Sequence, residues 1–390
     1  MKRIYRGMMV LLAVLMVLNV QALAEQTAQN QAQITPVAAQ NDYGSVTYPV
    51  LNGFPDASIQ DAVNKAIYDT AQIETRLNTL NRLEEGGWGL QVNYKDTLVN
   101  NILSVSVSAY GEMPGGRMGQ TYSTVNYDLA AGKPVTVSDL FTDVEGAFSL
   151  MEQKMEEEVQ PQLSGYLEND TLTPIPRDNF FLTPDGITFY YPQDQFSLLS
   201  GYSGSCSFDY YELKDYLNVS DGSILNTLGA GEFLSITPDT AARVAQDATQ
   251  GKLPGIGAAI GDSLIQRLQE YRLLVEPDYY PGGRFFETEA PELRGVWLLT
   301  DALTESYDQN QVLGLRADRI NLYGIQTGIT TIDEWRAALG QPSSSAAVDE
   351  TTAEDYRLSA GTSDYYIFGE NKLRLHANGE GVLESVQLLR

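Results

Sequence analysis

The chain has 390 residues and a formal net charge of −26, with one histidine (His376) and one cysteine (Cys206). It therefore cannot form an internal disulfide or a zinc site from several Cys and His ligands, and any Ser-His-Asp triad would have to use His376. A surface this acidic repels phosphate backbones, so we expect no nucleic-acid partner. No phosphate loop, dinucleotide motif or EF-hand loop occurs, so we expect no cofactor and no metal.

The first 24 residues have the pattern of a secretory signal peptide. A positively charged start (Lys2, Arg3 and Arg6) precedes the apolar run Met8 to Leu18, and Ala22-Leu23-Ala24 fits the small-x-small cleavage pattern. We expect cleavage after Ala24 and a secreted protein; losing three positive charges would change the net charge from −26 to −29. Retention of the segment as a membrane anchor is the alternative, and no later apolar run is long enough to span a bilayer.

Residues 25–42 are rich in Gln and Ala without periodicity, and we interpret them as a flexible linker. A first folded domain is predicted over residues 43–219. It begins with an alternating strand around Val46 to Val50, followed by a helix that starts after Asp56 and ends at Gly86-Gly87.

Strict alternation then predicts an antiparallel hairpin from residues 102–110 and 121–127, joined by a Gly-rich loop over residues 111–119. A helix follows Asp139, and residues 180–191 form a further strand pair. Strands mixed with segregated helices predict an α+β domain, with helices packed on an antiparallel sheet.

The motifs of this domain occur in a characteristic order: Tyr48-Pro49, Ser104 to Tyr110, Gly115 to Gly119, Asn126 to Leu129, Gly132-Lys133, Asp139 to Phe141, Asp185 to Ile187, and Tyr202. This order resembles the extracytoplasmic domain of unknown function shared by lysozyme-sensing anti-sigma-V factors and some peptidoglycan deacetylases. The resemblance implies a cell-envelope location, and its anti-sigma members bind lysozyme, a basic protein. Family members carry a small residue and then His after the paired glycines, where this chain has Arg117-Met118. One histidine cannot supply the Asp-His-His metal site of the deacetylases.

The Gly-rich loop and nearby tyrosines are the candidate binding residues of this domain. Paired glycines allow close approach of a ligand, an Arg beside them could bind a carboxylate, and Tyr combines an apolar ring with a polar tip. The alternative is a wide turn with a solvated Arg and ordinary half-buried sheet aromatics. The candidates are Gly115, Gly116, Arg117, Tyr110, Tyr122 and Tyr202.

After a connection over residues 220–254, which includes a predicted helix at Asp239 to Gln246, the chain contains a weak internal repeat. Residues 260–265 are similar to residues 327–332, and each copy continues into alternating strands. We predict tandem units of a helix plus antiparallel strands, 255–322 and 323–390. The segments Gly324 to Thr330, Leu339 to Pro342 and Gly379 to Leu388 resemble the tandem fold of β-lactamase-inhibitor proteins and small outer-membrane assembly lipoproteins. That resemblance implies protein binding on the concave sheet.

The segment Gly261-Asp262-Ser263-Leu264 matches the nucleophile block of a lipase and esterase family. That chemistry needs a base His preceded by an Asp three residues earlier, but position 373 is Leu. We interpret Asp262 or Ser263 as a helix N-cap instead.

We therefore expect a secreted, non-enzymatic binding protein of the bacterial cell envelope, whose partner is an extracellular protein or a peptidoglycan fragment. A basic, lysozyme-like partner fits the acidic charge. The alternatives are a glycan hydrolase that uses paired carboxylates, which needs no His, and a structural spacer without a partner.

Overall fold

The computed structural model describes residues 32–83, 89–113, 117–158, 160, 173–192, 204–265, 267, 278–280, 283–287, 295–300 and 310–390. The chain divides into two compact units, Met1–Pro134 and Val135–Arg390. The predicted signal peptide lies outside the described residues. Of the helices that fall in these ranges, none is both long and apolar enough to cross a membrane.

The first unit is a six-stranded sheet with two helices packed on one face. Its spatial order is β1-β2-β3-β4-β5-β6, and all neighbouring strands are antiparallel except the parallel pair β2–β3. The helices connect β2 to β3, because a parallel pair needs a long crossover. The elements are β1 (Gln33–Asn41), β2 (Gly44–Asn52), α1 (Ala57–Thr70), α2 (Ile73–Leu80), β3 (Leu90–Val99), β4 (Ile102–Met113), β5 (Arg117–Asp128) and β6 (Lys133–Pro134).

Alternation along β4 sets the core of this unit. Leu103, Val105, Val107 and Ala109 are buried on the helix side of the sheet, together with Val63 and Ile67 of α1 and Ile73 and Leu80 of α2. The side chains between them in β4 point to the other face, since successive strand residues alternate. The predicted hairpin is confirmed by the β4–β5 register, which pairs Ile102 with Asp128 and Met113 with Arg117.

Two features of the first unit differ from the sequence prediction. Residues 33–41, assigned by composition to the linker, form β1, which pairs with β2 along its whole length, and Ile34 packs on the core. The single predicted helix is two helices, because Gln72 adopts a left-handed backbone (φ 51°) between α1 and α2. The freed Ala71 carbonyl accepts a hydrogen bond from Arg76 Nε at 2.7 Å.

The second unit begins with helices packed on a small antiparallel sheet. Phe148, in the predicted apolar stripe of the long helix, contacts Phe189 of the sheet with ring centroids 5.4 Å apart. The elements are α3 (Val137–Leu140), α4 (Val144–Glu158), β7 (Phe180–Leu182), β8 (Gly186–Tyr190), β9 (Ser205–Asp209), α5 (Ile224–Leu228) and α6 (Thr240–Thr249). The predicted connection, residues 220–254, thus contains two helices, and residue 219 lies inside this unit rather than at the division between units.

An eight-stranded antiparallel sheet forms the rest of the second unit. Its spatial order is β10-β11-β12-β13-β19-β18-β17-β16, so two four-stranded halves meet at β13 and β19. This arrangement agrees with the predicted tandem organisation. The elements are β10 (Asp278–Tyr280), β11 (Gly283–Glu287), β12 (Val296–Thr300), β13 (Gly314–Ala317), β14 (Asn321–Leu322), β15 (Ile325–Gln326), α7 (Ile332–Leu339), β16 (Ser344–Val348), α8 (Glu350–Asp355), β17 (Gly361–Phe368), β18 (Asn371–Ala377) and β19 (Leu383–Leu389).

The two faces of this sheet differ in chemistry. One face packs on α6 and α7 and is apolar: Leu298, Leu315, Leu375 and Val386 are buried together with Val244 and Trp335. The opposite side, here called the distal face, carries the alternate residues of the same strands. It is defined by Trp297, Leu299, Arg316, Tyr365, Arg374, His376, Ser385 and Gln387.

Candidate functional site

One row of side chains crosses the distal face over five neighbouring strands. The register pairs Trp297 with Arg316, Arg316 with Gln387, Gln387 with Arg374, and Arg374 with Tyr365. Paired positions on one face are close enough for their side chains to interact. The fold therefore aligns two arginines on either side of a glutamine, flanked by Trp297 and Tyr365, and the register continues to Glu287 beyond Trp297 and to Ser344 beyond Tyr365.

Arg316 is held by hydrogen bonds to residues of several elements. Its Nε and Nη2 donate to the Asp318 carboxylate at 2.7 and 2.9 Å, and Nη1 donates to the Tyr356 carbonyl at 2.6 Å. The guanidinium also lies over the Trp297 ring, 3.7 Å from its centroid. Because Asp318 pairs with it through two nitrogens, the charge of Arg316 is locally neutralised.

Arg374 has different surroundings, although it is 7% exposed and therefore almost as buried as Arg316. Its Nε donates to Ser363 Oγ at 2.9 Å, and the guanidinium lies 5.5 Å from the Tyr356 ring centroid. Within the described ranges, no carboxylate forms an ion pair with it, and its Nη atoms have no hydrogen-bond partner. Burial lowers the pKa of this guanidinium, Tyr365 and Tyr356 oppose that shift, and the charge of Arg316 adds to it.

His376 lies beside the row and is structural. Its Nδ1 is 2.9 Å from Ser363 Oγ and its Nε2 is 2.8 Å from the Ser359 carbonyl, so both ring nitrogens are engaged. Burial lowers the pKa of the imidazole, outweighing the opposing effects of the Ser359 carbonyl and Glu384. The neutral ring therefore links β18, which carries it, to the Ser363 side chain of β17 and to the Ser359 carbonyl.

These residues surround a small cleft: its empty space of about 330 Å³ includes open solvent, and its enclosed room is on the scale of a single water molecule. Trp297, Leu299 and Leu358 supply apolar surface, while the two arginines and a glutamine supply donors. The pocket is lined by Trp297, Leu299, Arg316, Tyr356, Leu358, Arg374, His376, Ser385 and Gln387. Apolar walls with a few convergent polar groups are typical of ligand pockets. Among the described residues, no Asp or Glu lines it.

The candidate residues of the first unit are only partly described. Gly115, Gly116 and Tyr202 lie outside the described residues, as does the side chain of Arg117, whose backbone begins β5. Tyr110 and Tyr122 are half-buried and lie on the same face of the β4–β5 pair, since Tyr110 pairs with Gln120 and Ser108 with Tyr122. The role of these residues stays a prediction.

The face that holds Tyr110 and Tyr122 is polar from Ser104 to Tyr110 of β4 and from Gln120 to Asn126 of β5. Ser104 Oγ donates to Asn126 Oδ1 at 2.6 Å across the strand pair, and the Gln120 side chain donates to the Tyr122 hydroxyl. Ser104, Ser106, Gln120, Thr124 and Asn126 are all buried. Buried polar groups that bond to one another stabilise the sheet, so this network has a structural role independent of any ligand.

The residues of the lipase-like motif lack a catalytic arrangement. Both nitrogens of His376 are bound to Ser359 and Ser363, not to Ser263. Asp262 Oδ2 accepts hydrogen bonds from the Ala259 N–H at 2.8 Å and from Arg267 Nε at 2.9 Å. Its side chain thereby closes the turn over residues 259–262. Because Asp262 bonds to a residue that precedes it, it is not the N-cap; the other predicted candidate, Ser263, directly precedes the helical residue Leu264, and its carbonyl accepts from the Arg267 N–H at 3.3 Å.

Cys206 and the acidic residues near it are structural too. Burial raises the pKa of the Cys206 thiol to about 12, which keeps it protonated and unreactive. Asp209 and Glu212 lie close together, but Arg319 donates to both, at 3.5 and 3.0 Å. Gln326 also donates to Asp209, and Lys154 pairs with Glu212. Carboxylates held in this way act as ion-pair partners, which does not favour the hydrolase alternative.

The distal-face row escaped the sequence prediction, although a signal for it exists. Arg316 and Arg374 each interrupt an apolar strand, in Gly-Leu-Arg-Ala and Leu-Arg-Leu-His. A charged residue at an alternating position is ordinarily a solvated one. Only the pairing of β13 and β18 with β19 brings the two arginines together, and strand pairing between distant segments is not encoded locally.

No protein-family model matches the chain, and the curated proteins contain no match. Solved structures similar to it include a DUF3298-family protein of Bacteroides fragilis (15% identity, 51% of this chain and 96% of that one, TM-score 0.35). A DUF3298-family protein of Pseudomonas aeruginosa is 14% identical over 48% and 94%, with a TM-score of 0.34. A DUF4309-family protein of Bacillus subtilis is 12% identical over 39% and 97%, with a TM-score of 0.30. Similarity this distant carries no argument about the site or its function.

Proposed function

We propose that the protein is a secreted, non-enzymatic binding protein of the bacterial cell envelope and that the distal face of its eight-stranded sheet is a binding surface. The row of Trp297, Arg316, Gln387, Arg374 and Tyr365 carries this proposal. Trp, Tyr and Arg are enriched among the residues that supply most binding energy at protein interfaces, and here they share one face, with Trp297, Arg316 and Arg374 lining a pocket. None of the described residues that line the pocket is a carboxylate that could act as acid or base.

Charge and resemblance support the choice of partner. A net charge of −26 attracts basic proteins over several ångströms beyond contact, and lysozyme, bound by the anti-sigma-V factors that residues 43–219 resemble, is basic. A peptidoglycan fragment is the second partner class, since the same resemblance includes peptidoglycan deacetylases. Long-range attraction and local recognition are separate contributions: the whole surface steers the partner, and the distal face contacts it.

Binding to immobilised lysozyme, measured at 50 and 300 mM NaCl, tests the proposal. We expect saturable binding whose affinity falls about tenfold or more at the higher salt, because screening shortens the range of charge attraction. An acidic protein of similar size should not bind. Absence of salt-sensitive binding to lysozyme and to other basic envelope proteins would contradict the proposal.

A matched pair of tyrosine variants tests the role of the distal face. Tyr365 lies on that face with Lys372 5.4 Å from its ring centroid, and Tyr211 lies elsewhere in the unit with Lys214 4.6 Å from its ring centroid. We expect Tyr365→Ala to weaken partner binding several-fold and Tyr211→Ala to leave it unchanged. Equal effects of the two substitutions would place the binding surface elsewhere.

A further inference from the structure

We propose that the distal-face pocket binds a carboxylate group with an adjoining small apolar group, such as the end of a peptide, through Arg374 and Gln387. This inference rests on the proposed function, in which the distal face is a binding surface, and adds the chemistry that the pocket recognises. The argument depends on the charge of Arg374, the position of Gln387 and the apolar wall of the pocket.

The charge of Arg374 is unmatched within the described chain. Arg316 shares the pocket but already forms a two-nitrogen ion pair with Asp318, whereas Arg374 bonds only to the neutral Ser363 through its Nε. A buried cation without a counterion is costly, and an anion bound beside it would offset that cost. The two Nη atoms present the planar fork that matches a carboxylate.

Gln387 supplies a second donor at the same place. Its position in β19 lies between Arg316 of β13 and Arg374 of β18, and its side chain is 7% exposed. The Gln387 side chain has no hydrogen-bond partner among the described residues. A buried amide of this kind can donate to the same anion as Arg374, while Arg316, held by Asp318 and Tyr356, keeps the floor of the pocket rigid.

The pocket favours a monoanion with apolar character. One uncompensated guanidinium provides one positive charge, which matches a carboxylate better than a phosphate dianion. Asp318 beside Arg316 would oppose a second negative charge. The ring of Trp297 and the side chains of Leu299 and Leu358 form the apolar part of the lining, so the carbon atoms next to the carboxylate would lie against them at the open mouth.

Titration of the full chain with N-acetyl-L-alanine and with its uncharged amide tests this chemistry. Binding is measured by isothermal calorimetry and by the change in tryptophan fluorescence of the chain, with inorganic phosphate as a third ligand. We expect the carboxylate to bind at least tenfold more tightly than the amide or phosphate. Equal binding of carboxylate and amide, tighter binding of phosphate, or no saturation with the carboxylate would overturn the proposal.

Three variants assign the effect to residues. Arg374→Met should abolish binding of the carboxylate, and Gln387→Leu should weaken it several-fold. Arg177→Gln, which removes an exposed arginine that pairs with Glu145 away from the sheet, should leave it unchanged.

Far-ultraviolet circular dichroism checks folding, and if Arg374→Met does not fold, Gln387→Leu decides the outcome. Unaltered binding in both pocket variants would overturn the proposal. A variant that loses carboxylate binding but still binds lysozyme would show that the carboxylate site and the lysozyme contact are distinct. The two proposals can therefore fail independently.

Discussion

Asp364 shows how a single buried charge can be fully satisfied. Its carboxylate is 0% exposed and accepts hydrogen bonds from Trp335 Nε1 at 3.0 Å, from Arg336 Nε and Nη2 at 2.7 and 2.8 Å, and from Ser345 Oγ at 2.6 Å. Burial acts to raise the pKa of this carboxyl, but the three donors together hold it below its usual value. The carboxylate thereby connects α7, β16 and β17.

Replacing this carboxylate should destabilise the second unit. We expect Asp364→Asn to cost about 3 kcal/mol at pH 7, because the charge-assisted hydrogen bonds are lost and Arg336 loses its counterion. The free energy of unfolding is measured by urea titration monitored by Trp fluorescence. Asp221→Asn, at an exposed turn, serves as the control and should have almost no effect.

The difference in stability between wild type and Asp364→Asn should depend on pH, in the way that the direction of the Asp364 pKa shift dictates. Because the folded pKa of Asp364 is depressed, its stabilisation is present above the unfolded value of about 3.9 and is lost as pH falls through the folded pKa. The difference between wild type and Asp364→Asn should be constant from pH 5 to 7 and shrink below about pH 4. A difference that grows on acidification would contradict this account.

At the scale of elements, the break between α1 and α2 is set by one backbone conformation. Gln72 is exposed and has φ 51° and ψ 41°, a left-handed conformation that favours glycine. Its amide donates to the Asp69 carbonyl at 3.0 Å, so the conformation terminates α1 and redirects the chain into α2. Ile73 directly after it is fully buried, which fixes the direction of the turn.

The same substitution should therefore have opposite effects at two exposed glutamines. Gln72→Gly relieves the strained conformation and should stabilise the protein by about 0.5–1 kcal/mol. Gln246→Gly, in the interior of the right-handed helix α6, should destabilise it by about 1 kcal/mol. Both values come from thermal unfolding followed by circular dichroism. Destabilisation by Gln72→Gly would show that its left-handed conformation carries no strain.

The elements also show what the sequence can and cannot predict. The β4–β5 hairpin and the stripe of α4 were predictable because their periodicity is local, and burial of Val105, Val107 and Phe148 follows from it. The strand β1 was not, because its sequence contains a proline and lacks strict apolar–polar alternation, and it gains its order from the edge of β2. The arginine row shares this limitation: Arg316 and Arg374 meet only when β19 pairs with both of their strands.

At the scale of the whole molecule, the distribution of the scarce cations is informative. The chain has 25 Lys and Arg against 51 Asp and Glu, yet several arginines of the second unit lie in its interior contacts. Arg316 joins β13 to the backbone after α8, Arg336 joins α7 to β17, and Arg319 joins the three-stranded sheet to the segment after β13. These three arginines act as cross-links between elements, whereas the excess of acidic groups gives the molecule its net charge.

Arg319 makes the strongest test of this view, because it connects two sheets of the second unit. It donates to the Ser207 carbonyl at 2.8 Å and pairs with Glu212 and Asp209, while Gln326 Nε2 donates to the same Asp209 oxygen at 2.9 Å. We expect Arg319→Met to lower the free energy of unfolding by about 2 kcal/mol, since charge-assisted hydrogen bonds between partly buried groups are lost. The control is Arg177→Gln, which removes an exposed ion pair and should change little.

A double-mutant cycle separates the contact from the loss of the side chain itself. If Arg319 and Asp209 stabilise each other, Arg319→Met combined with Asp209→Asn should cost less than the sum of the single substitutions, by about 0.5 kcal/mol or more. Additive effects would mean that Arg319 stabilises the unit through its remaining contacts, such as the one to the Ser207 carbonyl. A negligible effect of Arg319→Met alone would mean that apolar packing suffices to join the two sheets and that the cations do not act as cross-links.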